Sequence, residues 1–312
     1  MVKIAFVFPG QGSQTIGMMS GFAAHPVVRA TFIEASDVLG TDLWALAESG
    51  PTEALNLTTN TQPLMLTAGL ATYRAWRASG GRPPEIVAGH SLGEYTALVA
   101  AEALSFRDAL PLVHYRAQAM QDAIPQGVGA MAAIMGAEDS AVAQACTEAQ
   151  QGQIVAPVNF NAPGQVVIAG HKEAVERAMI AAKQKGAKRA VLLPVSAPFH
   201  SSLLQPAAEK LAARLAQIAV QPPKIRVVHN VDVAEHTLPD EIRTALAQQA
   251  ARPVRWSETV RLLAANDIHH IVECGPGRVL AGLTRRIGEN LHAFALVDSD
   301  AVNETLAAVN AA

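Results

Sequence analysis

Ile86-Val87-Ala88-Gly89-His90-Ser91-Leu92-Gly93-Glu94-Tyr95 reads as a short apolar strand, a serine bracketed by glycines, and the start of a helix-forming run that continues to Ala103. Its centre is Gly-x-Ser-x-Gly in the order strand, sharp turn, helix. In such a turn the serine takes a strained backbone conformation, and the flanking glycines let neighbouring elements crowd in without a Cβ clash. Ser91 then stands at a helix N-terminus, where free backbone N–H groups and the helix dipole favour developing negative charge. A glycine-flanked serine is often only a turn or a cap. The strand before this one and the helix after it point instead to a nucleophile in an α/β fold.

Upstream, Val2 to Phe8 reads as a buried strand, and Pro9-Gly10-Gln11-Gly12-Ser13-Gln14 as the loop that follows it. Loops beyond the carboxyl ends of parallel strands build active sites, so this one is expected beside Ser91. It has neither of the glycine patterns that cradle nucleotide phosphates. Thr59-Asn60-Thr61 offers helix caps ahead of Gln62-Pro63, which puts Pro63 in the first turn of a helix running to Ser79. Pro83-Pro84 then imposes an extended entry to the Ser91 strand.

Ser105 is positioned to cap the next helix, where Ala109, Leu112, Val113, Ala117 and Met120 share one face and Arg116 falls within that apolar stripe. A guanidinium keeps its proton, so a buried one needs an anion. A structural carboxylate or a snorkelling side chain would satisfy Arg116, and so would a ligand carboxylate.

From Val128 to Val195 the predicted order is β-α-β-β-α-β, with Asn161-Ala162-Pro163-Gly164 as the turn of the middle hairpin. This is a ferredoxin-like unit, bounded by Pro125-Gln126-Gly127 and Ser196-Ala197-Pro198. It divides the chain into a discontinuous core, residues 1–125 and 198–312, and an inserted small domain, residues 126–197. His200 follows in a loop at that junction, where clefts form. An activated serine needs a base within reach, and His200 suits that role better than His90, because adjacent residues at a sharp turn point apart. Downstream the alternation of strand and helix resumes: a strand at 226–229, a helix at 240–251, Ser257 as a cap, and a strand at 268–273 leading to Cys274-Gly275-Pro276-Gly277.

Of the 312 residues 50% are hydrophobic and 16% charged, and the net charge is -3, which gives no case for nucleic acid or an anionic membrane as partner. The two cysteines, Cys146 and Cys274, have no metal-ligand spacing and fit a reduced, cytoplasmic protein. The N-terminal apolar run is too short for a signal peptide, and no stretch is long enough to span a membrane.

Taken together, Phe8 to Gln14, Gly89 to Tyr95, Arg116 with Met120-Gln121, Asn159-x-Asn161-x-Pro163-Gly164-Gln165, Phe199-His200 and Gly275-Pro276-Gly277 resemble the malonyl-CoA:acyl-carrier-protein transacylases of fatty-acid synthesis, in order and over nearly the whole chain. The resemblance implies a hydrolase-like parallel-sheet core with an inserted ferredoxin-like (βαββαβ) domain. It implies transfer of a malonyl group from malonyl-CoA to the phosphopantetheine thiol of acyl carrier protein, through Ser91 as nucleophile and His200 as base. Gln11 and Leu92 would supply the oxyanion-hole N–H groups, and the backbone carbonyl of Gln249 would orient His200. Arg116 would bind the malonyl carboxylate in a pocket shared with Met120, Asn159 and Phe199. No metal or bound cofactor is implied.

Carrier proteins are acidic, so a basic docking surface is expected; Lys183, Lys185, Lys188 and Arg189 are candidates, or else a solvated charged face. Two departures stand out. Ala117 replaces the glycine common after the arginine, and the bulky Phe199 before His200 goes with malonyl over methylmalonyl. Neighbouring readings are the malonyl-transfer subunit of a malonate decarboxylase, a polyketide acyltransferase, a serine thioesterase and a non-catalytic acyl-CoA sensor.

Overall fold

Two sheets carry the chain in the computed structural model, which describes residues 2–195 and 197–311. Ser196, at the expected junction, lies outside the described residues. The strands are β1 (Ile4–Phe8), β2 (Ile86–Gly89), β3 (Gly129–Met135), β4 (Val155–Ala162), β5 (Gln165–His171), β6 (Arg189–Leu192), β7 (Arg226–Val228), β8 (His270–Cys274) and β9 (His292–Leu296). One sheet has the order β7-β2-β1-β8-β9, all parallel, and the other the order β4-β5-β3-β6, all antiparallel. The expected mixed α/β class, a parallel core plus a βαββαβ unit, is what the chain adopts.

β1 shows why its sequence is apolar throughout. Ile4, Phe6 and Phe8 point into one buried cluster, and Ala5 and Val7 into another on the opposite face with Trp256, Leu263, Ile271 and Leu280. A parallel strand covered by helices on both sides has no solvent face to alternate with. Phe6 meets Tyr73 and Trp76 edge to face, at 5.8 and 5.1 Å between centroids, which fixes the helix Thr58–Ala78 across the sheet.

The antiparallel sheet is covered on one face by the helices Asp139–Ala149 and Lys172–Gln184, with an apolar cluster of its own. Its edge strand β4 leans on the other unit: Phe160 N donates to Val254 O at 3.0 Å, and Val254 N to Val158 O at 2.8 Å. Thus the hairpin turn side of the small sheet is brought up to the carboxyl ends of the parallel strands.

Two local expectations need correction, and one segment had none. The helix that carries Pro63 begins at Thr58, so the proline lies in its interior and not in its first turn. Proline has no N–H for the Thr59 carbonyl one turn back; that oxygen instead accepts from His114 Nδ1 at 3.1 Å. Ser257 does not cap its helix, which starts one residue earlier at Trp256; its buried hydroxyl has no partner among the described residues. The segment before residue 58, not resolved from the sequence, forms the helices Pro26–Leu39, Leu43–Ser49 and Thr52–Asn56. Among the described residues no helix is long and apolar enough to cross a membrane.

Candidate active site

The turn between β2 and the helix Gly93–Ala100 is as tight as its two glycines require. A Cβ on Gly89 would stand 1.9 Å from the carbonyl carbon of Gly93, and a Cβ on Gly93 would stand 2.0 Å from Phe8 O. Between them Ser91 has φ 53°, a left-handed conformation that costs a non-glycine residue about 1–3 kcal/mol. Side chains from distant segments hold it there. Ser91 N donates to Asn230 Oδ1 at 2.7 Å, and Ser91 O accepts from Gln249 Nε2 at 2.9 Å. Asn230 Nδ2 donates in turn to Gly89 O at 2.7 Å, which locks strand and turn together.

Ser91 Oγ lies 2.7 Å from His200 Nε2, and His200 Nδ1 lies 2.7 Å from the main-chain oxygen of Gln249. Since a carbonyl only accepts, the proton is on Nδ1 and the Nε2 lone pair faces the hydroxyl. Burial, reinforced by the Arg116 charge, pushes His200 down to about 3, so the imidazole is neutral at ordinary pH and free to take a proton. His90, next to the serine, faces elsewhere, with Nε2 2.8 Å from Asn161 Oδ1.

Arg116 enters the same pocket from the helix Phe106–Gln121, whose N-cap Ser105 accepts from Asp108 N at 3.0 Å as expected. Its side chain is only 1% exposed. Nη2 donates to Ser91 Oγ at 3.2 Å and to Gln249 Oε1 at 2.7 Å, and Nη1 to Gln62 Oε1 at 2.9 Å, while the Tyr95 ring lies 5.4 Å from the guanidinium carbon. Among the described residues no carboxylate pairs with it directly, and its Nε–H has no partner. Burial lowers its proton affinity, the nearby Tyr95 and Glu94 raise it again, and it stays cationic. A buried cation whose contacts are all neutral has charge left with which an incoming anion could pair.

The acyl transferase domain family matches residues 5–303 of the chain. The malonyl CoA-acyl carrier protein transacylase of Escherichia coli K12 is 55% identical over 307 residues, covering 98% of this chain and 99% of that protein. The chain belongs to this transacylase family. An acyl-carrier-protein S-malonyltransferase structure from Burkholderia pseudomallei superposes with a TM-score of 0.97 at 59% identity, covering 98% of this chain and all of that one. A malonyl-transacylase solved in complex with a type II polyketide acyl-carrier protein superposes equally well, at 51% identity, covering 98% of this chain and 99% of that one.

The other residues singled out in the transacylase motifs have these positions. The loop of Gln11 packs on the turn, where a Cβ on Gly10 would meet His90 O at 2.5 Å and Leu92 N at 3.6 Å. Among the described residues neither Gln11 N–H nor Leu92 N–H has an acceptor, and Gln11 Nε2 donates to Thr58 Oγ1 at 3.3 Å. Met120 is buried one helical turn from Arg116. Asn159, on β4, has a buried Oδ1 with no partner among the described residues, and Phe199 packs between the main core and the open face of the small sheet. Lys183, Lys188 and Arg189 are exposed at the far end of the small sheet; Lys185, also there, pairs with Glu148 at 2.9 Å. Arg189 lies three strand spacings, about 14 Å, from the β4 edge beside the pocket.

Four participants escaped the sequence reading: Gln62, Glu94, Asn230 and the side chain of Gln249. Asn230 alone carried a usable signal, being two residues past the end of β7 on the edge where Ser91 stands. Among the described residues no three His, Cys, Asp or Glu side chains converge as a metal site.

Proposed function

We propose that the chain moves a malonyl group from malonyl-CoA to the phosphopantetheine thiol of acyl carrier protein through a malonyl-Ser91 intermediate. The observation that carries this reading is one hydroxyl within 2.7 Å of a neutral imidazole and 3.2 Å of a buried guanidinium, which unites nucleophile, base and carboxylate receptor in one pocket.

In the first half-reaction the malonyl carboxylate docks on Arg116, and Ser91 Oγ attacks the thioester carbonyl as its proton passes to His200 Nε2. The tetrahedral oxygen lodges against the free N–H groups of Gln11 and Leu92, each worth about 3 kcal/mol by analogy with other such sites. Collapse breaks the C–S bond, and His200 returns the proton to the CoA sulfur. In the second half-reaction His200 deprotonates the carrier thiol, whose sulfur attacks the acyl carbonyl; the acyl–Oγ bond breaks, and His200 passes the proton to the departing Ser91 Oγ. These steps use no metal or resident cofactor. Met120, Asn159 and Phe199 shape the pocket around the acyl chain, and the reaction belongs to the cytoplasm.

The carrier reading is supported by the names of the relatives and by the solved carrier complex of a structural neighbour. That neighbour's carrier serves a polyketide system, which favours polyketide acyl transfer as the alternative route for the same chemistry. A thioesterase reading is poorly supported, because a triad acid would belong at His200 Nδ1, where the Gln249 carbonyl is the partner. We read residues 1–125 and 198–312 as one discontinuous core and 126–197 as an inserted domain; the separate apolar cluster within 132–190 supports that division. The test is intact-protein mass spectrometry after malonyl-CoA, with and without holo carrier protein. A single malonyl adduct that disappears when carrier is added, with malonyl appearing on the carrier, is the expected result. Loss of the adduct to water at the same rate without carrier would sink it.

A further inference from the structure

Gln249 touches the machinery with both main chain and side chain. Its carbonyl accepts from His200 Nδ1, its Oε1 accepts from Arg116 Nη2, and its Nε2 donates to Ser91 O and, at 2.8 Å, to Glu94 Oε2. A guanidinium only donates and a carboxylate only accepts, so the amide has one allowed orientation, oxygen to Arg116 and nitrogen to Glu94. Glu94 is completely buried in the first turn after Ser91. Its Oε2 also accepts from Asn230 N at 3.0 Å, and its Oε1 from His229 Nδ1 at 2.7 Å. The buried cation thus has its counter-charge one amide away, with no direct contact.

We propose that Glu94 is a positioning residue: by fixing the Gln249 amide it holds Arg116 in place for a substrate carboxylate without itself occupying the anion's position. The proposal rests on the acyl-transfer reading above. A carboxylate paired directly with Arg116 would support the guanidinium equally well, but it would compete with the cargo for the same donors. With no acceptor there, the buried charge would be unsupported. The amide meets both demands only while its oxygen faces the cation; turned over, it would set N–H against N–H.

Two variants separate this role from general scaffolding. Glu94→Gln keeps the shape but replaces the carboxylate that anchors the Gln249 amide nitrogen by a neutral group that can donate as well as accept, leaving Ser91 O as that nitrogen's remaining fixed acceptor and loosening the amide's hold on Arg116. Gln249→Glu keeps the main-chain carbonyl on His200 and sets a carboxylate on Arg116. Single-turnover acylation by malonyl-CoA and by acetyl-CoA is followed by intact mass over a range of acyl-CoA concentrations, with a thermal melt of each protein. Both variants are expected to raise the half-saturating malonyl-CoA concentration about 10-fold or more relative to that for acetyl-CoA, on top of any loss that the two acyl groups share.

If the wild-type protein forms no malonyl adduct, the acyl-transfer reading fails before any variant is compared. If it does, an unchanged malonyl-to-acetyl ratio in both variants overturns the proposal. Equal losses for the two acyl groups in a Glu94→Gln protein that melts like the wild type also overturn it. Should Glu94→Gln fail to accumulate as folded protein, Gln249→Glu decides alone, by the same ratio.

Discussion

Ser91 Oγ and His200 Nε2 meet at 2.7 Å although 109 positions separate them in the chain, and both residues have positive φ, 53° and 65°. Two non-glycine residues in the left-handed region, each costing about 1–3 kcal/mol, persist only where the surroundings over-determine them. The hydroxyl and the imidazole are therefore arranged before any substrate arrives.

Replacing Ser91 by Ala removes the hydroxyl proposed to carry the acyl group. Malonyl transfer is expected to fall by at least about 10⁴-fold, with no mass adduct after malonyl-CoA. An adduct of undiminished yield on that variant would assign the nucleophile elsewhere.

Arg116→Ala leaves the serine and histidine in place but takes away the cation. Loss of a buried charge–charge contact costs on the order of 3–5 kcal/mol, so malonyl acylation should drop at least about 100-fold. Acetyl-CoA has no carboxylate to lose, and its acylation should change far less; parallel losses in competition assays would refute the assigned role.

The low proton affinity of His200 sets the acid side of the pH profile. Protonation blocks the base, so activity falls as pH drops through its value of about 3. At pH 5 an ordinary histidine would be about 3% neutral and the rate down about 30-fold; here acylation in a brief assay should still be near its plateau. The same shift links folding to protons. The unfolded chain binds a proton at this residue near pH 6.5, which the folded chain refuses until about pH 3, so stability declines as pH falls across that interval. Urea titrations at pH 7 and pH 5 measure the decline.

Asn230 clasps the strained turn from both sides, accepting from Ser91 N and donating to Gly89 O. Asn230→Ala strands two buried backbone groups, at a cost of about 2–4 kcal/mol by urea unfolding. Acylation should slow as well, because Ser91 is released toward a relaxed φ.

Charge reversal at Lys188 and Arg189 tests the carrier surface. If these exposed cations meet an acidic carrier, the double change to Glu raises the KM for carrier several-fold and leaves acylation by malonyl-CoA intact. An unaltered KM in low salt would return them to the status of a solvated face.

Local signals made much of the fold legible. The two glycines and the serine specified the turn because their spacing demands backbone contact, and the Arg116 stripe was visible because helical period is a local property. The hairpin and the βαββαβ order followed from strand-length apolar runs and the Pro163-Gly164 turn. What escaped depends on tertiary neighbours. Thr59 to Thr61 look like caps until His114 is seen to take the carbonyl that Pro63 cannot serve. Glu94 looks like an acid favoured in a first helical turn. Only the approach of His229 and Asn230, 135 and 136 residues later, and of Gln249, 155 residues later at the end of the helix Pro239–Gln249, turns it into a buried carboxylate with three donors.

The strand order has a consequence for biosynthesis. β1 leaves the ribosome some 260 residues before one of its two flanking partners, β8. The antiparallel unit between Gly129 and Leu192 can close as soon as its own last strand emerges. The parallel sheet stays incomplete until β8 and β9 have been translated. A nascent chain stalled before residue 270 therefore exposes an apolar strand edge, and in the cell its protection falls to chaperones.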